Sequence, residues 1–237
     1  MIVVGHQPNY LPYLGFFDKA SRCDRFVLVD NTQFVKRGPF GWIHRNRIRT
    51  PQGSAWLTVP VRTSGKYHQR IDEAEIDHDL PWARKHWRTL LAHYRKAPHF
   101  ARHADWFEAA YAREWRMLVD LNFAMIEHLF EALGLRVPCV RASALGVEGK
   151  ATGYVLDLCR RTGATVYLSG KHGHDYLDLP AFAAAGIELR FQEYLHPEYG
   201  QAHPGPFVPF CSVVDLLFNH GPDSLGILAR GGVAPAA

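Results

Sequence analysis

Long hydrophobic runs are missing from this chain. No apolar stretch in its 237 residues approaches the roughly 20 residues that a membrane-spanning helix needs. A basic segment followed by an apolar core is also missing at the N-terminus, so no signal peptide is expected and the cytoplasm is the expected location. Cysteine is sparse: there are four, Cys23, Cys139, Cys159 and Cys211. None pair at C-x-x-C spacing, which argues against a structural zinc site or a redox motif. Cys139 and Cys159 sit in apolar patterns as small core residues, and Cys211 has no base identified beside it. Charge of one sign is lacking too, with 27 Lys and Arg against 23 Asp and Glu, a net of +4. That mild excess favours anionic partners without requiring nucleic acid, and no RNP, KH or glycine-rich RNA motif is present. Gly65-Lys66 lacks the earlier glycine and the following Ser or Thr of a P-loop. There is no internal repeat and no low-complexity block.

What is present begins at the first residues. Ile2-Val3-Val4 reads as a strand and runs into the polar turn Gly5-His6-Gln7-Pro8-Asn9-Tyr10. A helix pattern follows through Leu14, Phe16, Phe17 and Ala20, ending near Ser21. A strand that hands over to a helix through a polar elbow is the usual ligand-binding corner of an open α/β sheet. An ordinary loop capping its helix needs fewer functional groups than His6, Gln7, Asn9 and Tyr10 supply.

Strand, polar turn and helix then recur. Arg25–Val29 reads as a second strand with Asp30-Asn31-Thr32-Gln33 at its end, completing a βαβ unit with a parallel, right-handed connection. Residues 34–77 break the rhythm: Gly38, Pro39 and Gly41 mark a turn, Pro51-Gln52-Gly53 a hairpin tip, and Ala55–Val61 a returning strand. This β-hairpin insertion carries Arg45, Asn46, Arg47 and Arg49. Residues 81–135 read as a helical subdomain, opened by Pro81 with Asp79 as a candidate cap, interrupted at Pro98 and stopped by Gly134. Alternation returns with strands at Val137–Arg141, Thr165–Leu168 and Ile187–Phe191, and helices at Gly149–Arg161, Leu179–Ala185 and Ser212–Asn219. The small-residue tail from Gly231 is expected to fray. The expected architecture is therefore one α/β domain over 1–237: a Rossmann-like, mostly parallel sheet with a β-hairpin insertion and a helical subdomain.

In a parallel sheet all the strand-ending turns lie on one edge. Five clusters distant in sequence should then converge: His6–Tyr10, Asp30–Gln33, Ser143, Ser169–His174 and His196–Tyr199. His6 is placed as a general base or hydrogen-bonding group, with a backbone-satisfied histidine as the alternative. Asp30 is a candidate to orient a histidine or bind an amine, unless it closes its own Asx turn. Ser169-Gly170-Lys171-His172-Gly173-His174 offers backbone N–H groups, a cation and two imidazoles, which suits an anion or a thioester oxyanion. Its His-x-His pair has no carboxylate or cysteine to complete a metal set, so no metal is assigned. Arg45 and Arg47 are candidates to clamp a phosphate or carboxylate, or else they keep a strand edge soluble. Between Asp79 and Asp105 the chain carries Arg84, Lys85, Arg88, Arg95, Lys96 and Arg102 and no acid. That face suits an acidic carrier protein or a nucleotide-linked substrate, with a solvated face as the alternative.

The chain as a whole resembles the WbqC-like protein family. The resemblance is carried by Gly5-His6-Gln7-Pro8-Asn9-Tyr10-Leu11-Pro12 with Gly15-Phe16-Phe17-Asp18-Lys19; by Arg45-Asn46 with Trp56–Val61; by Tyr167-Leu168-Ser169-Gly170; by His196-Pro197-Glu198-Tyr199-Gly200-Gln201; and by Ser212–Asn219 with Gly221. Tyr13 stands where the family's first block usually has Trp. The resemblance implies a role in surface-polysaccharide (lipopolysaccharide, O-antigen) or specialised-metabolite synthesis. The Gly-His-Gln-Pro turn alone is also similar to that of bacillithiol-synthase-type enzymes, Rossmann proteins that join an amine to an electrophile.

The expectation that follows is a transferase moving an acyl or aminoacyl group from a carrier-protein or coenzyme A thioester to an amine or hydroxyl of a small sugar or metabolite. His6, Asp30 and His172 are the candidate catalytic residues. Gln7, Asn9, Tyr10, Gln33, Arg45, Asn46, Ser169, Gly170, Lys171, His174, His196, Tyr199 and Gln201 are the candidate substrate contacts. A nucleotide-dependent amine-condensing enzyme and a non-catalytic subunit of a biosynthetic complex are the alternatives.

Overall fold

The computed structural model describes residues 1–38 and 41–232. Pro39 of the expected turn and the end of the small-residue tail lie outside that range. Five short strands form one parallel sheet: β1 (Ile2–His6), β2 (Arg25–Leu28), β5 (Cys139–Arg141), β6 (Val166–Ser169) and β7 (Glu188–Phe191). A separate antiparallel hairpin pairs β3 (Arg45–Thr50) with β4 (Gly53–Thr58). The helices are α1 (Leu14–Ser21), α2 (Trp82–Tyr94), α3 (Ala101–Ala112), α4 (Leu118–Ala132), α5 (Ala151–Thr162), α6 (Leu179–Ala184), α7 (Val213–His220) and α8 (Ser224–Ala229). None of them is long and apolar enough to cross a membrane.

The strand order is β5-β2-β1-β6-β7. The chain steps outward from β1 to β2 and β5, then returns across the sheet to β6 on the other side of β1. The direction of travel therefore reverses between β1 and β6, and the carboxyl ends of those two strands flank the crevice where ligands bind in open parallel sheets. Central strands in such a sheet are buried on both faces and read as continuous apolar runs. Val3 and Val4 are both fully buried and belong to opposite layers. Val4, Phe26 and Leu28 pack toward α1 and the helical layer, while Val3, Val27 and Tyr167 pack toward α5 and α6. Phe16 and Phe17 of α1, Phe26 of β2 and Phe130 of α4 form one aromatic cluster. Phe16 and Phe26 stand 4.8 Å apart, and Phe17 and Phe130 meet edge-on at 5.8 Å.

Several local signals act as expected. Gly163 ends α5 in the left-handed region at φ 70°, where a side chain would be strained. The Ser212 hydroxyl accepts from Val214 N–H and caps α7. Asp79 does not cap α2: its own N–H is bonded to Asp77 Oδ1, and the helix opens at Pro81 without a side-chain cap.

The β1–α1 loop is fixed from outside. The amide of Asn122 in α4 donates to Pro8 O and Ile43 O, each at 2.7 Å. Tyr10 N–H donates to Ile43 O at 3.1 Å and Val213 N–H to Pro12 O at 2.9 Å. Asn46 Nδ2 donates to Leu11 O at 2.6 Å and holds Leu11 at φ 44°, a conformation bulky residues avoid.

His44 and His86 are buried among apolar groups, and burial is the main cause that takes each down to about 4. The unfolded chain protonates them near 6.5, so between pH 6.5 and 4 it holds protons that the fold does not. Stability therefore falls with pH across that window, by at most about 1.4 kcal/mol per pH unit for each imidazole. Thermal melts between pH 7 and 4.5 should show a falling Tm, and the slope should flatten in His44→Asn/His86→Gln.

Candidate functional site

The parallel sheet brings the carboxyl ends of β1, β2, β5, β6 and β7 to one edge. His6 ends β1 there. Its Nδ1 lies 2.9 Å from Gln7 O. A carbonyl oxygen only accepts, so Nδ1 carries the proton and Nε2 keeps its lone pair. The ring rests edge-on against Phe16 at 4.8 Å. Burial, and then the neighbouring Lys19, push the imidazole down to about 3, so it is neutral throughout the physiological range.

Lys19 is the residue that sequence reasoning missed. It lies on α1, which is buried at every position from Leu14 to Ala20, and only 3% of it is exposed. Burial brings its amine down to about 7, against the raising influence of Cys23 and Asp18. Asp18, the obvious counter-ion, faces elsewhere: Arg22 pairs with it at 2.9 Å and Gln192 Nε2 donates to it at 2.6 Å. Among the described residues no carboxylate lies within ion-pairing distance of Lys19 Nζ. The amine reaches the end of β6, where a Cβ built on Gly170 would sit 3.5 Å from it. The legible signal was a cation in a short helix whose other positions are almost all apolar.

The remaining candidates separate into two groups. Asp30, fully buried after β2, accepts from Ser143 N–H at 2.9 Å and from Ser143 Oγ at 2.6 Å. Both its oxygens bind the β5 end to the β2 end, and among the described residues it makes no hydrogen bond to His6; the group that orients His6 is the Gln7 carbonyl. Gln7 Nε2 reaches Thr32 Oγ1 at 3.4 Å, and Tyr154 donates to Asn31 Oδ1 at 2.6 Å, so this rim is a continuous polar band. Ser169 is buried at the end of β6 and Gly170 follows it. Lys171, His172 and His174 are exposed on the 3-10 turn Lys171–Asp175. The two imidazoles diverge, His172 toward Asp175 at 3.3 Å and His174 stacked on Phe191 at 3.5 Å. Among the described residues no three His, Cys, Asp or Glu side chains are grouped to hold a metal ion. Gln33 donates to Tyr67 O at 3.3 Å on the outer part of the same rim.

The second group is engaged with the protein itself. Tyr10 is fully buried, with its hydroxyl between Tyr111 and His86 Nδ1, the latter at 2.9 Å. Asn9 is buried, and Asn46 holds Leu11 as described. Arg45 donates to Gly41 O at 3.0 Å and lies over Trp56 at 4.5 Å, so its guanidinium is stacked on the hairpin. Tyr199 and Gln201 donate to the buried Asp215 of α7 at 3.0 and 2.8 Å, beside Tyr94 at 2.7 Å. Burial raises Asp215, and these hydrogen bonds oppose the rise. His196 donates from Nδ1 to Pro197 O at 3.0 Å and packs against Phe210 and Phe207. The turn after β7 is therefore tied in two places: Tyr199 and Gln201 to Asp215 of α7, and Leu195 N–H to Gly231 O, just beyond α8, at 2.8 Å.

A parallel α/β sheet with a neutral imidazole and an unpaired buried amine at its point of reversal has these groups where open sheets place their ligands, which makes this edge the candidate site. The WbqC-like protein family model matches residues 7–227, and the chain belongs to this family. The uncharacterised protein Rv1507c of Mycobacterium tuberculosis is 36% identical over 220 residues, which cover 92% of this chain and 93% of that protein. No solved structure matches the chain. Membership in the family points to a biosynthetic enzyme.

Removing the Ser143 hydroxyl leaves one oxygen of a buried carboxylate without its donor. Ser143→Ala should lower the unfolding free energy by about 2 kcal/mol, the range for a hydrogen bond to a charged group, measured by urea denaturation. An unchanged midpoint would show that Asp30 finds its donors elsewhere.

Proposed function

We propose that this protein is an acyl or aminoacyl transferase of surface-polysaccharide or specialised-metabolite biosynthesis, built on a Rossmann-like sheet. A thioester on a carrier protein or coenzyme A supplies the acyl group, and an amine or hydroxyl of a small metabolite or sugar receives it. The observation that carries this reading is the free lone pair of His6 Nε2, held neutral at the reversal point between β1 and β6. The acceptor nitrogen or oxygen attacks the thioester carbonyl, and its proton passes to Nε2. The C–S bond breaks as the new C–N or C–O bond is kept, and the proton leaves with the thiol. The Ser169–His174 segment, with Lys171 and His172, serves the oxyanion, and Asp30 holds the Ser143 turn to the end of β2 on the other side of β1.

The basic face of α2 supports a carrier-bound donor. Arg84, Lys85 and Arg88 of α2 and Arg95 and Lys96 just beyond its end are exposed, and none is in an ion pair among the described residues. Acidic carrier surfaces complement such a face and are steered to it.

Turnover is measured by mass spectrometry with aminoacyl-carrier thioesters and a panel of amino-sugar and amino-acid acceptors. His6→Ala should lower kcat by roughly 100-fold or more, and unchanged turnover in that variant would sink the assignment. Arg84→Glu/Arg88→Glu should raise KM for the carrier-bound donor while leaving KM for a free pantetheine thioester unchanged.

A further inference from the structure

The transferase reading leaves the Lys19 amine unused, and its surroundings are specific. It sits in the layer between sheet and helices, and its neighbour Asp18 is already bound by Arg22 and Gln192. The charged and titratable groups around it are Asp18 on α1, Cys23 two residues beyond that helix and His6 on β1, while the Gly170 backbone follows β6. An ammonium in such a place has lost its water without gaining a counter-ion, and an anion that reaches it restores what burial removed. Gly170 places no side chain over the amine. In the β1–α1 loop Pro8 and Pro12 carry no N–H and that of Tyr10 is bonded to Ile43 O, so this loop is not the unbroken run of amides that usually wraps a phosphate. One cation next to one free imidazole lone pair matches a ligand with a single anionic group and a neighbouring N–H or O–H.

We propose that Lys19 and His6 together recognise the acceptor, which is a small amino acid or hydroxy acid. Its carboxylate sits on the Lys19 ammonium, and its nucleophilic N–H or O–H donates to His6 Nε2. This rests on the transferase reading for the word acceptor, but the binding itself does not require turnover. Burial holds the free amine near 7, so at pH 8 the empty site is mostly neutral. Binding of a carboxylate draws a proton onto Lys19 there and draws none at pH 6.

Calorimetry in two buffers of different ionisation heat reads both affinity and protons. The probes are glycolate, glycine, acetate and inorganic phosphate, each with the full-length protein. Glycolate and glycine should bind about tenfold tighter than acetate, as one added hydrogen bond provides, with uptake approaching one proton at pH 8. Lys19→Met should abolish both the binding and the uptake. It should also raise Tm, because it replaces an unpaired buried charge with an apolar chain of similar length. The gain should be widest at and below pH 7 and close toward pH 10. A Lys19→Met protein that still binds glycolate, or that unfolds at a lower temperature, would overturn the proposal. So would phosphate binding tighter than glycolate, or no heat with any acid. Acid binding at Lys19 without transfer would leave this inference standing and remove the transferase; transfer to neutral amines without acid binding would do the reverse.

Discussion

One side-chain amide sets where the candidate site can be. Asn122 of α4 donates to carbonyls of Pro8 and Ile43, so the loop after β1, the approach to the hairpin and the helical layer meet at a single buried group. Without that amide the Pro8 carbonyl loses its donor and the Ile43 carbonyl keeps only Tyr10 N–H, a cost of the same order as the hydrogen bonds themselves. The consequence is geometric. His6 is followed by a loop that cannot rearrange without breaking bonds to three other parts of the molecule. A side chain held in this way keeps its place without reorganisation.

Rigidity of that kind is costly in polar groups, and the protein accepts the cost locally. Aromatic rings of α1, β2 and α4 supply the apolar burial, while a neutral histidine and an uncompensated lysine occupy the same layer. Buried titratable groups displaced from their usual range gather at functional sites. Here the displaced base and the displaced amine come from one strand and the helix that follows it, so a short stretch near the start of the chain supplies both. The distant segments contribute the walls: Gly170 by having no side chain, Ser143 by binding Asp30, Gln192 by holding Asp18 away.

Much of this architecture is legible in the sequence because it rests on local rules. Ile2-Val3-Val4 reads as a doubly buried strand, Gly163 as a stop and Ser212 as a cap, and each acts so in the structure. The shared edge follows from parallel strands and needs no side chain to be placed. What the sequence leaves open is which polar groups face a ligand and which face the protein. Tyr10 and Asn46 stand in a polar motif, yet their partners lie at His86, Tyr111 and Leu11, chosen by tertiary contact. Tyr199 and Gln201 likewise meet Asp215, which lies within an apolar helix pattern. Asp30 reads as an Asx turn or as the group that orients a histidine or binds an amine, and its partner is Ser143 after another strand. Lys19 gives no such signal, because a lysine in a helix ordinarily has a wet side, and α1 is buried from Leu14 to Ala20.

The buried relay around Tyr10 has one further property. The hydroxyls of Tyr10 and Tyr111 and the Nδ1 of His86 meet across three elements, and either tyrosine can donate to the other. The relay therefore ties the loop after β1 to α2 and α3 whichever way its hydrogens point, and losing any one member strands a buried polar partner on a different element.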